Sequence, residues 1–185
     1  MGLTEKMTEY LLDAGMANAK MLPCAEVPFD LEFRKMCEMN SCGCYGKNWM
    51  CPPAVGPAEE LIAKARSYRY ALVYQSISPL KDSYDFEGMD EAMRMHSSVS
   101  RGLEDLLARE GVSDYLNLSA GECTLCEKCA KIDDEPCRHP DKAIPSLEAY
   151  CVYVSELAGK CGMKYINGAD TVTYFGVLFY NCQER

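Results

Sequence analysis

Four cysteines in one short segment constrain this chain more than any other feature. Cys123, Cys126 and Cys129 are separated by two residues each, and Cys137 follows after seven more. Three evenly spaced cysteines allow one loop to wrap a cubic iron–sulfur cluster and to present three thiolates to three of its corners. Cys137 is the nearest candidate for the fourth ligand. A structural zinc site more often uses two separated pairs of ligands, so the spacing favours iron and sulfide.

This spacing is that of bacterial ferredoxin loops, apart from the longer gap before the last cysteine. We therefore interpret the segment as a [4Fe–4S] site. A second group, which ends in a pair of prolines, consists of Cys37, Cys42, Cys44 and Cys51. A cysteine followed by proline often closes a cluster-binding run. A second iron–sulfur cluster is the favoured interpretation here, and a zinc ion held by four cysteines is the alternative. Trp49 either shields such a cluster from water or anchors the segment in the core.

Composition restricts the class of protein. The chain has 185 residues, 12 of them cysteine, and 48% of its residues are apolar, which is typical of a chain with a packed core. The N-terminus has no export signal, so we expect a cytoplasmic protein whose thiols are reduced and available to metal. The longest apolar run, Tyr174 to Tyr180, is too short to cross a membrane. A net charge of −9 argues against nucleic-acid binding and is compatible with an electron carrier.

Periodicity predicts one α/β domain over residues 1–185, built from a small layered sheet with helices, and we take its strands to be parallel. Two cysteine-rich loops, at about 33–55 and 121–140, are inserted at strand–helix junctions. The predicted helices are about Thr4–Ala14, Pro57–Arg66, Glu87–Arg109 and Ser146–Lys160. The predicted strands are about Lys20–Val27, Tyr70–Ile77, Tyr115–Leu118, Met163–Ile166 and Thr171–Tyr180.

The remaining reactive side chains have simpler interpretations. Four further cysteines are predicted to be core thiols: Cys24, Cys151, Cys161 and Cys182. His96 falls on the apolar stripe of the long helix, where a hydrogen-bonded core residue is the usual outcome. Arg138 and His139 adjoin Cys137, and they are either solvated loop residues or groups that offset and hydrogen-bond a cluster.

Three strings of the sequence resemble a known family. These strings are residues 44–53 (CYGKNWMCPP), 121–129 (GECTLCEKC) and 136–140 (PCRHP), and the similarity continues through 145–149. Together they resemble a prokaryotic family of cysteine-rich "predicted metal-binding proteins", a domain of unknown function. The resemblance implies metal binding and says little about a reaction. Either Cys42 or Cys44, or both, is the ligand in the second group.

Three functions follow as hypotheses. The first is a small redox protein that carries two [4Fe–4S] clusters and exchanges electrons with a partner protein. The second is an enzyme in which one cluster has only three cysteine ligands, so that the open iron acts on a small substrate. The third is an interaction module stapled by zinc, which would be colourless and redox-silent.

Overall fold

A four-stranded sheet forms the centre of the fold in the computed structural model, which describes residues 2–181. Its strands are β1 (Asn18–Pro23), β2 (Tyr70–Pro79), β3 (Tyr115–Leu118) and β4 (Thr171–Tyr180). The strand order is β1-β2-β4-β3, and every neighbouring pair is antiparallel. The prediction of parallel strands is therefore wrong, although the mixed α/β class is confirmed. The reason is the strand order. β2 and β3 run in one direction but are separated by β4, and β1 and β4 run in the other direction but are separated by β2.

Among residues 2–181, five α-helices accompany the sheet: α1 (Leu3–Asp13), α2 (Glu32–Glu38), α3 (Ala58–Arg66), α4 (Phe86–Arg109) and α5 (Val154–Lys160). The bounds of α1, α3 and α4 agree with the prediction to within a residue. The first turn of α4 is capped by Asp85, whose carboxylate accepts the backbone N–H of Gly88 at 3.1 Å. No helix among residues 2–181 is long and apolar enough to span a bilayer.

Helices cover both faces of the sheet. Alternate residues of β2 point to opposite faces, so Leu72 and Tyr74 pack beneath α1 and α4, whereas Ala71 and Val73 face α3 and α5. The first layer buries side chains from both helices and from β4: Met7, Leu11, Leu103, Leu107, Leu178 and Tyr180. The second layer also receives the segment 147–152, which places the end of one cysteine-rich loop against the core.

Four of the predicted segments differ from the structure. Only residues 154–160 of the predicted 146–160 helix are helical, because the chain turns at Cys151, whose φ of 58° is left-handed. Residues 163–166, predicted as a strand, lie outside the sheet. The strand predicted to reach Val27 ends at Pro23, and a 3₁₀ turn over Cys24–Glu26 follows. The segment 33–55, predicted as irregular, contains the last six residues of α2 within it.

The two cysteine-rich loops meet on the face covered by α3 and α5. The first loop connects β1 to α3, and the second connects β3 to α5. Backbone hydrogen bonds join them, from Asp30 N–H to the Cys151 carbonyl and from Tyr153 N–H to the Pro28 carbonyl, each at 2.9 Å. The sheet thus holds two separate loops together at one place.

Candidate metal centre

The cysteines of the second loop lie around one cavity. Cys123, Cys126, Cys129 and Cys137, called tetrad A from here on, line a narrow cavity of about 20 Å³, cavity A. Its other described lining residues include no Asp or Glu. Soft sulfur donors without carboxylates favour zinc, Cu(I) or iron–sulfur clusters over Mg²⁺ or Ca²⁺.

Local contacts bring Cys137 back to the first three cysteines. After Cys129 the chain makes a 3₁₀ turn over Ala130–Asp133. The Arg138 guanidinium then donates to the Lys128 carbonyl at 2.9 Å, which ties the residue after Cys137 to the residue before Cys129. An ion pair of 2.6 Å between Lys128 and Asp133 closes the same turn. The gap of seven residues is therefore used to fold the chain back toward the tetrad.

The cysteines of the first loop lie around a separate and wider cavity. Cys37, Cys42, Cys44 and Cys51, called tetrad B from here on, line a cavity of about 420 Å³, cavity B. Cys37 lies near the end of α2 and the other three follow in the loop. Cys42 and Cys44, between which the sequence left a choice, therefore both line cavity B. The Cys44 thiol donates to the Cys42 carbonyl at 3.7 Å.

Two glycines shape the tetrad B loop. Gly43 and Gly46 have φ of 78° and 72°, a conformation that residues with a Cβ rarely adopt. The Gly46 N–H donates to the Pro52 carbonyl at 2.9 Å, so the chain closes on itself around the thiols. Replacing either glycine would oppose the turns that let several thiols converge.

Burial and mutual proximity raise the pKa values of several thiols. Burial raises the pKa of Cys51 to about 12, and the neighbouring thiols of Cys44 and Cys42 contribute to the increase. Burial, with the Glu122 carboxylate and Cys42, raises the pKa of Cys44 to about 11. Burial likewise raises the pKa of Cys123. Because metals bind thiolates, metal binding here must release protons, and affinity should increase with pH.

One buried side chain joins the two tetrads. Asn48, which is 6% exposed, donates its amide N–H to the Cys123 carbonyl at 3.0 Å. The oxygen of the same amide accepts the Met50 N–H at 3.0 Å. The segment that carries tetrad B is thereby fixed to the first cysteine of tetrad A.

Trp49 makes a second connection. Its indole N–H donates to the Glu135 carbonyl at 2.9 Å, and the Lys131 ammonium lies 5.0 Å from the ring centroid. The ring is half-buried and lines cavity A. Trp49 therefore anchors its segment to the tetrad A loop instead of the hydrophobic core, and it covers one side of cavity A.

Two of the three described cysteines outside the tetrads are buried, as predicted. Cys24 is buried and its thiol donates to the Ala65 carbonyl at 3.2 Å. Cys151 is 0% exposed, and Cys161 is half-buried against the core beneath α5. Cys182 lies outside the described residues.

The two histidines lie in different surroundings. His96 is 0% exposed and its Nδ1 forms a hydrogen bond of 2.9 Å with the Ser76 hydroxyl, which confirms the hydrogen-bonded core residue. His139 and Arg138 both line cavity A, although both side chains are exposed. The Arg138 guanidinium donates a hydrogen bond to the Lys128 carbonyl, as described above.

Several residues near the tetrads were not found from the sequence. Asn48 and Glu122 lie inside the cysteine motifs, where their proximity to the thiols was a usable signal. Glu148 lines cavity B from a distant segment, and Arg34 donates to the Ala149 carbonyl at 2.9 Å beside it. Arg34 lies three residues before Cys37 on α2, which was also a usable signal, whereas no spacing or periodicity connects Glu148 to tetrad B. Among residues 2–181, no three His, Cys, Asp or Glu side chains form a group that could hold a single metal ion.

The fold and the two tetrads define a cysteine-rich α/β protein of the metal-binding class. The chain belongs to the family described as "predicted metal-binding protein (DUF2284)", whose family model matches residues 20–180. This match confirms the resemblance seen in the sequence and covers both tetrads. Neither a curated protein nor a solved structure matches the chain. The family description names neither the metal nor a reaction.

Proposed function

We propose that this protein binds two [4Fe–4S] clusters, one at each tetrad, and acts in electron transfer or as a redox accessory. One observation carries the proposal: each group of four cysteines surrounds a cavity of its own. The spacing of tetrad A adds to it, because three cysteines separated by two residues each are typical of cluster-binding loops.

The donor sets fit such clusters, but cavity A must widen to hold one. Its volume of about 20 Å³ has room for about one water molecule. The four thiols are half-buried on a loop whose one regular element, among the described residues, is the 3₁₀ turn Ala130–Asp133, so no long helix or strand fixes their spacing. When bound, a cluster supplies reversible one-electron transfer. Trp49 and Leu125 line the cavity and limit the access of water, which influences a reduction potential.

The charge of the chain supports a protein partner of opposite sign. A net charge of −9, increased by the anionic thiolates, favours docking to a basic patch and accelerates the encounter at low salt. We further propose that the chain works as one domain in the cytoplasm, where reducing conditions keep eight ligand thiols available.

A second function is favoured by one observation, the width of cavity B. At about 420 Å³ it falls within the range of about 300–1,000 Å³ that small-molecule sites occupy. An enzyme in which tetrad B supplies only three ligands, and an open iron meets a small substrate, would use that space.

Single cysteine substitutions test the proposal. Protein purified without oxygen should contain about eight iron atoms and about eight acid-labile sulfides per chain. Cys126→Ser and Cys51→Ser should each reduce both counts to about four, with the remaining cluster visible by electron paramagnetic resonance after reduction. Cys161→Ser, which changes a cysteine outside both tetrads, is the matched control and should keep the full counts. An unchanged iron count in Cys126→Ser would refute the assignment of tetrad A.

The same measurement separates the carrier from the enzyme at tetrad B. If all four cysteines are ligands, Cys42→Ser and Cys44→Ser should both lose a cluster. If one of the two variants keeps about eight iron atoms while the other loses about four, tetrad B holds its cluster through three cysteines. That second result favours the enzyme.

A further inference from the structure

We propose that cavity B binds a small organic cation, a protonated amine with an apolar or aromatic body, next to tetrad B. The carboxylates and aromatic side chains of the cavity are residues of this chain, so they can contact a ligand without a bound cluster. Only the additional negative charge of such a cluster rests on the function proposed above.

The charge of cavity B is of one sign. Glu122 and Glu148 line it, and no Lys, Arg or His is among the described residues that do. Three cations lie outside the lining but within electrostatic range of it: Arg34 of Cys37, Lys47 of Cys44, and Arg94 of Glu122. The Arg34 guanidinium donates to the Ala149 carbonyl at 2.9 Å. Complementary charge selects a ligand and like charge excludes one, so an ammonium group is favoured here and a carboxylate or phosphate is disfavoured.

The two carboxylates approach the cavity from different segments. Glu122 precedes Cys123 and lines cavity B together with Cys44 and Cys51. Glu148 comes from the segment before α5 and lines the same cavity together with Cys37, near the end of α2. Because both carboxylates line the same cavity, a cation bound there is within the electrostatic range of both.

Apolar and aromatic side chains supply the rest of the cavity wall. Met36 and Met39 are 56% and 68% exposed, and Tyr165 is 51% exposed, so their apolar surfaces are available to a ligand in the cavity that they line. Methionines adapt their shape to a ligand, and an aromatic face attracts a cation. Tyr165 is held in position by stacking on Phe175, with centroids 6.0 Å apart. A ligand with one aromatic ring and a short amine tail would contact the apolar side chains with its ring and the carboxylates with its ammonium group.

Three probes that share a phenylethyl body and differ in charge test this. Isothermal titration calorimetry on anaerobically purified protein would compare 2-phenylethylamine, 2-phenylethanol and 3-phenylpropionate. We expect the amine to bind at least about tenfold more tightly than the alcohol, a difference of about 1.4 kcal/mol, and the carboxylate not to bind. Glu122→Gln and Glu148→Gln should each weaken the amine about fivefold or more and leave the alcohol unchanged. Glu59→Gln, on the exposed side of α3 and outside the cavity, is the matched control.

Each other outcome counts against the inference. Equal affinity for the three probes, no binding of the amine, or an amine affinity that neither glutamate variant reduces would overturn it. Should the glutamate variants fold poorly, as circular dichroism would reveal, Tyr165→Leu replaces them and must weaken both the amine and the alcohol. Iron and sulfide counted on the same samples keep the two proposals separate. About eight of each without amine binding rejects the inference alone, whereas amine binding without sulfide rejects the clusters alone.

Discussion

Replacing Asn48 by alanine removes the side chain that joins the two tetrads. The substitution deletes two hydrogen bonds, the one donated to the Cys123 carbonyl and the one accepted from the Met50 N–H, both at 3.0 Å. A net contribution of about 0.5–1.5 kcal/mol for each bond gives a loss of about 1–3 kcal/mol in the free energy of unfolding. Because Asn48 is buried, water cannot fully replace the lost partners.

Thermal unfolding followed by far-ultraviolet circular dichroism measures this loss. For a chain of this size about 1 kcal/mol shifts Tm by about 2–4 °C, so a loss near 2 kcal/mol predicts a decrease of about 4–8 °C. The scans need protein purified without oxygen and one fixed heating rate, since the loss of a bound metal group would make unfolding irreversible.

The control substitution is Asn167→Ala. The Asn167 amide also donates two hydrogen bonds, to the Lys164 carbonyl and the Thr173 hydroxyl at 3.0 Å each, but near the surface and away from the tetrads. It should lower Tm by less than about 2 °C, since water replaces exposed partners. If Asn48→Ala melted within about 1 °C of the wild type, the claim that Asn48 fixes the two loops to each other would be refuted.

Three further predictions concern the core, a titrating carboxyl and the cover of cavity A. Leu103→Ala, at a fully buried position of α4, should cost about 3 kcal/mol in urea unfolding, and a cost below about 1 kcal/mol would contradict the packing described. Burial raises the pKa of Glu104 from 4.5 to about 7, despite a hydrogen bond from Asn117, so the folded chain binds this proton more tightly than the unfolded chain does. The stability that this protonated carboxyl contributes is fully present below about pH 4.5 and is lost as the pH rises through about 7. Glu104→Gln should therefore increase the free energy of unfolding by about 1 kcal/mol over the wild type near pH 8, after solvent screening, and leave it unchanged near pH 4.5. Equal gains at both pH values would contradict this. Trp49→Phe removes the hydrogen bond to Glu135, so the absorbance of one cluster should bleach in air at least about twofold faster than in the wild type, and equal rates would contradict the covering role.

Periodicity was enough to predict the elements that pack one face against the sheet. The apolar stripe of α4 and the apolar run of β4 match the structure closely, because the residues that such an element buries recur at the period of that element. The Ser146 segment shows the limit of this reasoning. The Ser146 hydroxyl does accept the Ala149 N–H at 3.0 Å, as at a helix start, but the left-handed backbone at Cys151 stops the turn before a helix forms.

Cysteine spacing predicted which thiols share a loop, and the four of each loop line one cavity, whereas their role as ligands stays a prediction. It could not predict that Asn48 would meet Cys123 or that Glu148 would reach cavity B. Those contacts depend on how the sheet brings the two loops together, and strand order was not readable from the sequence. The antiparallel pairing of β4 with both β2 and β3 is the arrangement that periodicity missed.

The central claim is that the two tetrads hold iron–sulfur clusters, and a metal and sulfide analysis of the wild-type chain tests it most directly. Protein purified without oxygen is assayed for iron, zinc and acid-labile sulfide per chain. We predict about eight iron atoms, about eight sulfides and no stoichiometric zinc. Zinc at one or two ions per chain without sulfide would contradict the claim and identify the tetrads as structural zinc sites.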